Sequence, residues 1–189
     1  MFKKQTDQRV AVFFADGCEE IEGLTVVDLL FRAGIPCDKV SISDTYQVTS
    51  SHEVTFLCNK RISDIDFDDY AMLVLPGGIP GTPNLAASES LMRAIGVYAA
   101  QGKALAAICA APSIYAEQGL LEGVRATANP DFQHVLSEKG AVLAHDPVVV
   151  DGSFITSQGA GTAMLFALEI VRYFLGDEAV RRVRESVVL

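Results

Sequence analysis

The run Ala106-Ala107-Ile108-Cys109-Ala110-Ala111-Pro112 holds the side chain best suited to chemistry in this sequence. Lys103 to Ile108 is a short apolar run of the kind a fully buried strand shows. Pro112 to Gln118 suits the first turns of a helix, with proline where its missing N–H costs least. Cys109 is therefore expected on a sharp strand-to-helix turn. Such a nucleophile elbow lifts a side chain out of a sheet and leaves backbone N–H groups free beside it. The positive end of the following helix dipole favours thiolate. The run taken alone also fits a buried structural cysteine, since free cysteine is among the most buried residue types.

Gly17-Cys18-Glu19-Glu20-Ile21-Glu22 places three carboxylates around a helix start. Stabilisation by the helix dipole accounts for Glu19 and Glu20. Glu22, within the first turn, is placed to face a crevice; burial there would raise its pKa, keep it protonated and let it donate a hydrogen bond to a thiolate. Pro76-Gly77-Gly78 offers flexible backbone whose N–H groups suit an oxyanion or a sulfinate oxygen, and equally a plain turn. It matches neither Walker A nor the dinucleotide fingerprint. None of the histidines, His52, His134 and His145, falls in a predicted strand-end loop near Cys109, and no His/Asp/Glu grouping has metal-ligand spacing.

The elements that must position these residues read as buried strands alternating with amphipathic helices. Val10 to Phe14 is a buried strand, Glu20 to Ala33 a helix closed by Gly34, and Pro36 to Ser43 a second strand. Alternation over Val48 to Cys58 predicts a hairpin, and the acidic stretch Ser63 to Tyr70 a solvated loop with a turn of helix. Ala71 to Leu75 is another strand, followed by one helix over 84–101 that Gly102 ends. After the elbow come a strand at Val124 to Ala128, a short helix at Asp131 to Lys139, and strands at Ala141 to Ala144, Val148 to Val150 and Phe154 to Thr156. Helices from about Gly161 to Phe174 and Asp177 to Ser186 finish the chain. The pattern implies one α/β domain over residues 1–189 with a mostly parallel sheet covered on both faces. Its ligand crevice would lie beyond the carboxyl ends of the strands, at Asp16 to Glu22, Pro76 to Gly81 and Cys109.

A formal net charge of -9 argues against a nucleic-acid backbone or an anionic membrane surface as the main partner. No stretch approaches the ~20 apolar residues of a membrane span, and Val10 to Phe14 is too short for the apolar part of a signal peptide. Cys18, Cys37, Cys58 and Cys109 form neither a paired metal spacing nor a CxxC motif, which predicts free thiols in a reducing cytoplasm.

Taken together, Gly17 to Glu22, Leu75-Pro76-Gly77-Gly78, Ala106 to Pro112 and Thr156-Ser157-Gln158-Gly159-Ala160-Gly161-Thr162 resemble the ThiJ/PfpI superfamily. Within it they are most similar to the branch of the Parkinson's-disease-associated protein deglycase. The four motifs occur in the same order over nearly the whole chain. The resemblance implies a flavodoxin-like three-layer sandwich and a homodimer. It implies Cys109 as the oxidisable nucleophile, Glu22 as its protonated partner and the N–H groups of Gly78 and Ala110 as the oxyanion site. Gly77 and Asn129 would line the pocket, and Arg32 would help line it on the dimer side. It implies no metal or organic cofactor, and a small carbonyl substrate or a glycated protein as partner.

Two departures bear on mechanism. Asn129, in Ala128-Asn129-Pro130, stands where well-known members of the branch carry a histidine, and an amide cannot relay a proton. Ala110 stands where the protease-like branch has histidine, which argues against peptidase activity. His52 matches the place of another pocket arginine. Two functions remain open on these residues. One is a glyoxalase-like or deglycase-like enzyme acting on 2-oxoaldehydes and their adducts; the other is a redox sensor or chaperone in which Cys109 is oxidised to sulfinate.

Overall fold

The computed structural model describes residues 2–189. Its strands are β1 (Val10–Phe14), β2 (Cys37–Ser41), β3 (Gln47–Thr49), β4 (Thr55–Leu57), β5 (Lys60–Arg61), β6 (Met72–Leu75), β7 (Ala104–Ile108), β8 (Arg125–Ala126), β9 (Val142–Leu143), β10 (Val148–Asp151) and β11 (Phe154–Ser157). The helices are α1 (Glu20–Ala33), α2 (Gly81–Ala86), α3 (Glu89–Gln101), α4 (Pro112–Glu117), α5 (Gln133–Glu138) and α6 (Ala163–Ser186). Seven strands form the central sheet in the order β10-β11-β7-β6-β1-β2-β5, parallel except for the β10–β11 pair.

The central strands VAVFF, MLVL and ALAAI are buried at every residue, as strands covered on both faces must be. Alternate residues serve opposite faces. Val10, Val12, Phe14, Met72, Val74, Ala104, Ala106 and Ile108 pack beneath α1 and α6. Ala11, Phe13, Leu73, Leu75, Leu105 and Ala107 pack against α3, α4 and α5. The result is a flavodoxin-like α/β sandwich of three layers.

Strand order reverses at β1, which has β2 on one side and β6 on the other, so the chain leaves β1 and β6 in opposite directions. A crevice opens where two such loops part. Gly23 lets α1 lie close along one wall of it: a Cβ there would stand 2.2 Å from Cε1 of Phe14.

Several boundaries differ from the sequence pattern. The helix expected over 84–101 is two helices, parted where Ser88 turns extended. The strand expected at Val124 to Ala128 shrinks to β8, which pairs only with β9 outside the central sheet. The two C-terminal helices are the two parts of α6, which meet at Gly176, held at φ 73°. The hairpin is β3 with β4. The acidic stretch forms two 3-10 turns, at Ile62–Asp64 and Phe67–Asp69.

Candidate active site

Cys109 follows the last residue of β7 and has φ 66°, in the left-handed region that a side chain with a Cβ enters only at a cost of about 1–2 kcal/mol. Two backbone bonds hold it there. Its N–H donates to the Ser157 carbonyl at 3.0 Å, and its own carbonyl accepts from Asn129 N–H at 2.8 Å. The helix behind it is anchored too, Tyr115 Oη donating to the Ala106 carbonyl at 3.0 Å and Ser113 Oγ to the Ala110 carbonyl at 2.7 Å. The expected elbow is present, and Cys109 is partly exposed.

The loop after β6 crosses directly in front of it. A Cβ on Gly77 would stand 2.7 Å from Cβ of Cys109 and 3.0 Å from Oε2 of Glu22, so only glycine fits. Gly78, at φ 92°, passes so close to Cys18 and Glu19 that a Cβ would stand 2.3 Å from Glu19 N. The N–H groups of Ala110 and Gly78 both reach the Cys109 sulfur and favour its ionised form.

Glu22 is buried on the first turn of α1. Oε2 accepts from Gly77 N–H at 2.8 Å. Oε1 is buried without a conventional donor, and the carboxyl faces Cys109. Burial pushes Glu22 up to about 7, against the Gly77 N–H and the contact with Cys109; the charge of Glu19 adds to the rise. Burial also pushes the Cys109 thiol up, to about 12, together with the charge of an ionised Glu22 and the hydrogen bond to it. That is opposite to the direction expected from the helix dipole, and α4 spans only six residues. Two of the three raising influences exist only while Glu22 is ionised. A proton on Oε1 removes them and supplies the donor that this oxygen lacks.

The fourth wall is the loop after β11, whose part the strand pattern did not reveal. A Cβ on Gly159 would lie 3.6 Å from Asn129 Nδ2 and 3.9 Å from both Cys109 Sγ and Glu22 Oε1. Cys109, Glu22, Gly77, Gly78, Ala110 and Asn129 therefore meet around one point. The signal for Gly159 was the motif Ser157 to Thr162, which carries no side chain that chemistry would single out.

Other residues singled out in the sequence have different partners. Arg32 stands in the last turn of α1, ten residues and about 15 Å along the helix from Glu22. It pairs with Asp28 at 2.8 Å and donates to the Ser186 carbonyl, away from the thiol. Glu19 and Glu20 make no side-chain cap on α1. Instead their carboxylates gather His52, whose Nδ1 lies 3.1 Å from Glu20 and 3.7 Å from Glu19, so that imidazole is already committed to them. Sequence spacing gave no metal-like grouping, yet the fold brings ligand atoms of these three residues within 4.8 Å of one another. His134 and His145 are exposed, in keeping with their reading as surface residues. Cys18 is buried in the core, where burial pushes its thiol up to about 12.

The model of the DJ-1/PfpI family matches residues 8–173. Protein DJ-1 homolog B of Arabidopsis thaliana is 35% identical over 90% of the chain, which spans only 39% of that longer protein. The glutathione-independent glyoxalase DJ-1 of Schizosaccharomyces pombe is 30% identical over 95% of the chain and 97% of its own length. The crystal structure of Drosophila melanogaster DJ-1beta superposes with a TM-score of 0.92 at 31% identity, covering 97% of this chain and 99% of that one.

Proposed function

The chain belongs to the DJ-1/PfpI family, and from there we propose that it is a cofactor-independent enzyme of carbonyl stress, glyoxalase-like or deglycase-like, acting on small 2-oxoaldehydes and their adducts. The observation that carries this reading is the strained Cys109 facing a buried carboxyl whose free oxygen lacks a donor, beside two backbone N–H groups. The similarity to a glutathione-independent glyoxalase supports it.

The chemistry balances on these groups alone. The Cys109 thiolate adds to the aldehyde carbon, and Glu22 gives its proton to the forming alkoxide while Gly78 and Ala110 N–H hold that oxygen. The Glu22 carboxylate then takes the C1 hydrogen as a proton and delivers it to C2. The proton on O1 passes to O2, and a thioester results. Glu22 next accepts a proton from water, the hydroxide displaces the thiolate, and a 2-hydroxy acid leaves with both groups restored. One water is consumed and no external oxidant is needed. Asn129 orients the substrate by its amide and relays no proton.

The chain acts as one domain, and a homodimer through the exposed face of α1 is part of the same reading. Action in the cytoplasm rests on the free cysteines alone. Among the described residues no helix is long and apolar enough to cross a membrane. The alternative is a sensor in which peroxide oxidises Cys109 to sulfinate, whose oxygens the same N–H pair would hold; the partial exposure of Cys109 favours it.

Lactate formation from methylglyoxal decides between them. Wild type should turn over and Cys109→Ser should not. Lactate formation that survives Cys109→Ser overturns the mechanism. No turnover by wild type, with selective gain of two oxygens at Cys109 under mild peroxide, transfers the site to the sensor.

A further inference from the structure

On the opposite face of the sheet from α1, an apolar groove of about 580 Å³ runs between α2, α3 and α4. Ile79, Ala86, Met92, Ile114 and Phe132 form its apolar walls. Three of its lining residues are tied to the crevice. Ile79 follows Gly78 in the chain, Ser113 Oγ donates to the Ala110 carbonyl at 2.7 Å, and Phe132 N–H donates to the Asn129 carbonyl at 2.8 Å. The groove wall is thus joined to the crevice through Gly78, Ala110 and Asn129. Its wall holds one anomaly: Thr82 is 96% buried, and its Oγ1 has no hydrogen-bond partner. An orphaned buried hydroxyl costs about 1–3 kcal/mol, and a ligand oxygen or N–H that reaches it removes that cost.

The space exceeds what a methyl group fills and lies in the range of pockets that take whole small molecules. We propose that this groove receives the carbon substituent of the substrate, so that the enzyme prefers 2-oxoaldehydes bearing an aryl or branched alkyl group over methylglyoxal. The inference rests on the reading of Cys109 as a carbonyl-directed nucleophile. It adds what that reading lacks, a determinant of specificity outside the reacting atoms. Binding in the groove holds the substituent, while the dicarbonyl end extends past Ile79 and Ser113 to the sulfur.

The test compares kcat/KM for phenylglyoxal and methylglyoxal in wild type, Ala86→Trp and Thr82→Val. Ala86 is exposed at the lip of the groove, so tryptophan there fills the groove without entering the core. Wild type should favour phenylglyoxal by about tenfold or more, chiefly through KM, as discrimination by an apolar pocket allows. Ala86→Trp should erase that preference by lowering phenylglyoxal turnover far more than methylglyoxal turnover, and Thr82→Val should reduce it. Equal turnover of both aldehydes by wild type, or an equal loss of both in Ala86→Trp, overturns the proposal. Titration with acetophenone, an unreactive aryl ketone, separates this from a failure of the catalytic reading. The methyl resonances of Met92, Ile79 and Ile114 should shift in wild type and stay fixed in Ala86→Trp. Should neither aldehyde react while those methyls shift, the groove binds and the catalytic reading falls; unmoved methyls at millimolar acetophenone sink the groove.

Discussion

Glu22 is 1% exposed, and its only firm hydrogen bond comes from Gly77 N–H. Because burial raises its pKa from 4.5 to about 7, its contribution to stability is full below pH 4.5 and lost as pH rises through 7. The size of the loss is on the order of 3 kcal/mol, and Cys109 titrates with it as a unit. Glu22→Gln should therefore flatten the decline in urea-unfolding stability that wild type shows between pH 5 and 8. A decline of equal slope in both proteins would place the titration elsewhere. The same substitution separates two roles of the carboxyl. A glutamine amide still donates to the sulfur, as a protonated acid does, but it moves no proton. Alkylation of Cys109 by iodoacetamide should stay within about tenfold of wild type, whereas methylglyoxal turnover should fall by about 10²–10⁴-fold. Parallel losses in both would mean that Glu22 only shapes the pocket.

The strands place chemistry at one end of the sheet and bracing at the other. Before β1 and β6, Arg9 and Tyr70 reach Asp38 at 2.8 and 2.9 Å, and Asn59 before β5 reaches it at 2.6 Å. Burial alone would raise the Asp38 pKa; the hydrogen bonds from Arg9, Asn59 and Tyr70 overcome it and hold the carboxyl below its ordinary range. Its sign is opposite to that of Glu22: the stabilisation is present above the unfolded pKa and lost as pH falls through the folded one. Asp38→Asn should cost about 1–3 kcal/mol, since Arg9 is half exposed and rehydrates. It should leave the alkylation rate of Cys109 untouched; a slowed rate would show that the two ends of the sheet communicate.

This division also explains what the sequence made legible. Apolar runs and the glycines that end helices disclosed β1, α1, β6 and β7 nearly to the residue, because burial on both faces writes itself into composition. Thus Cys109 and the Gly77-Gly78 turn came out at strand ends, and Glu22 on the helix start that follows β1, without any contact known. Partners chosen across the fold left no such mark. Arg32 shares a helix with Glu22 and still sits at its far end, and His52 is captured by two acids thirty-odd residues away. Nor did β8 show that it pairs outside the main sheet, since a two-residue strand has no periodicity to read.

At the scale of the molecule, α1 carries Glu22 toward the sheet, and its outer face bears a stripe of apolar side chains interrupted by the exposed Asp28–Arg32 pair. Ile21 and Phe31 are each 51% exposed, and Leu24 and Thr25 lie between them beside Met164. Spacings of three, four and ten residues place these positions on one helix face. A second copy seated there would cover the stripe and close the crevice mouth next to Glu22, which follows Ile21 directly. Each copy also brings a net charge of -9. Apolar burial then favours the pair while like charge opposes it, and salt screens only the second. Sedimentation equilibrium should therefore give twice the 20.3 kDa chain mass, with a dissociation constant that falls as salt rises from about 20 to 300 mM, a range over which the Debye length shrinks several-fold. Ile21→Asp should leave a folded monomer at every salt concentration. A dissociation constant that rises with salt would mean that opposite charges, and not the apolar stripe, hold the copies together; a dimer that survives Ile21→Asp would place the interface on another face.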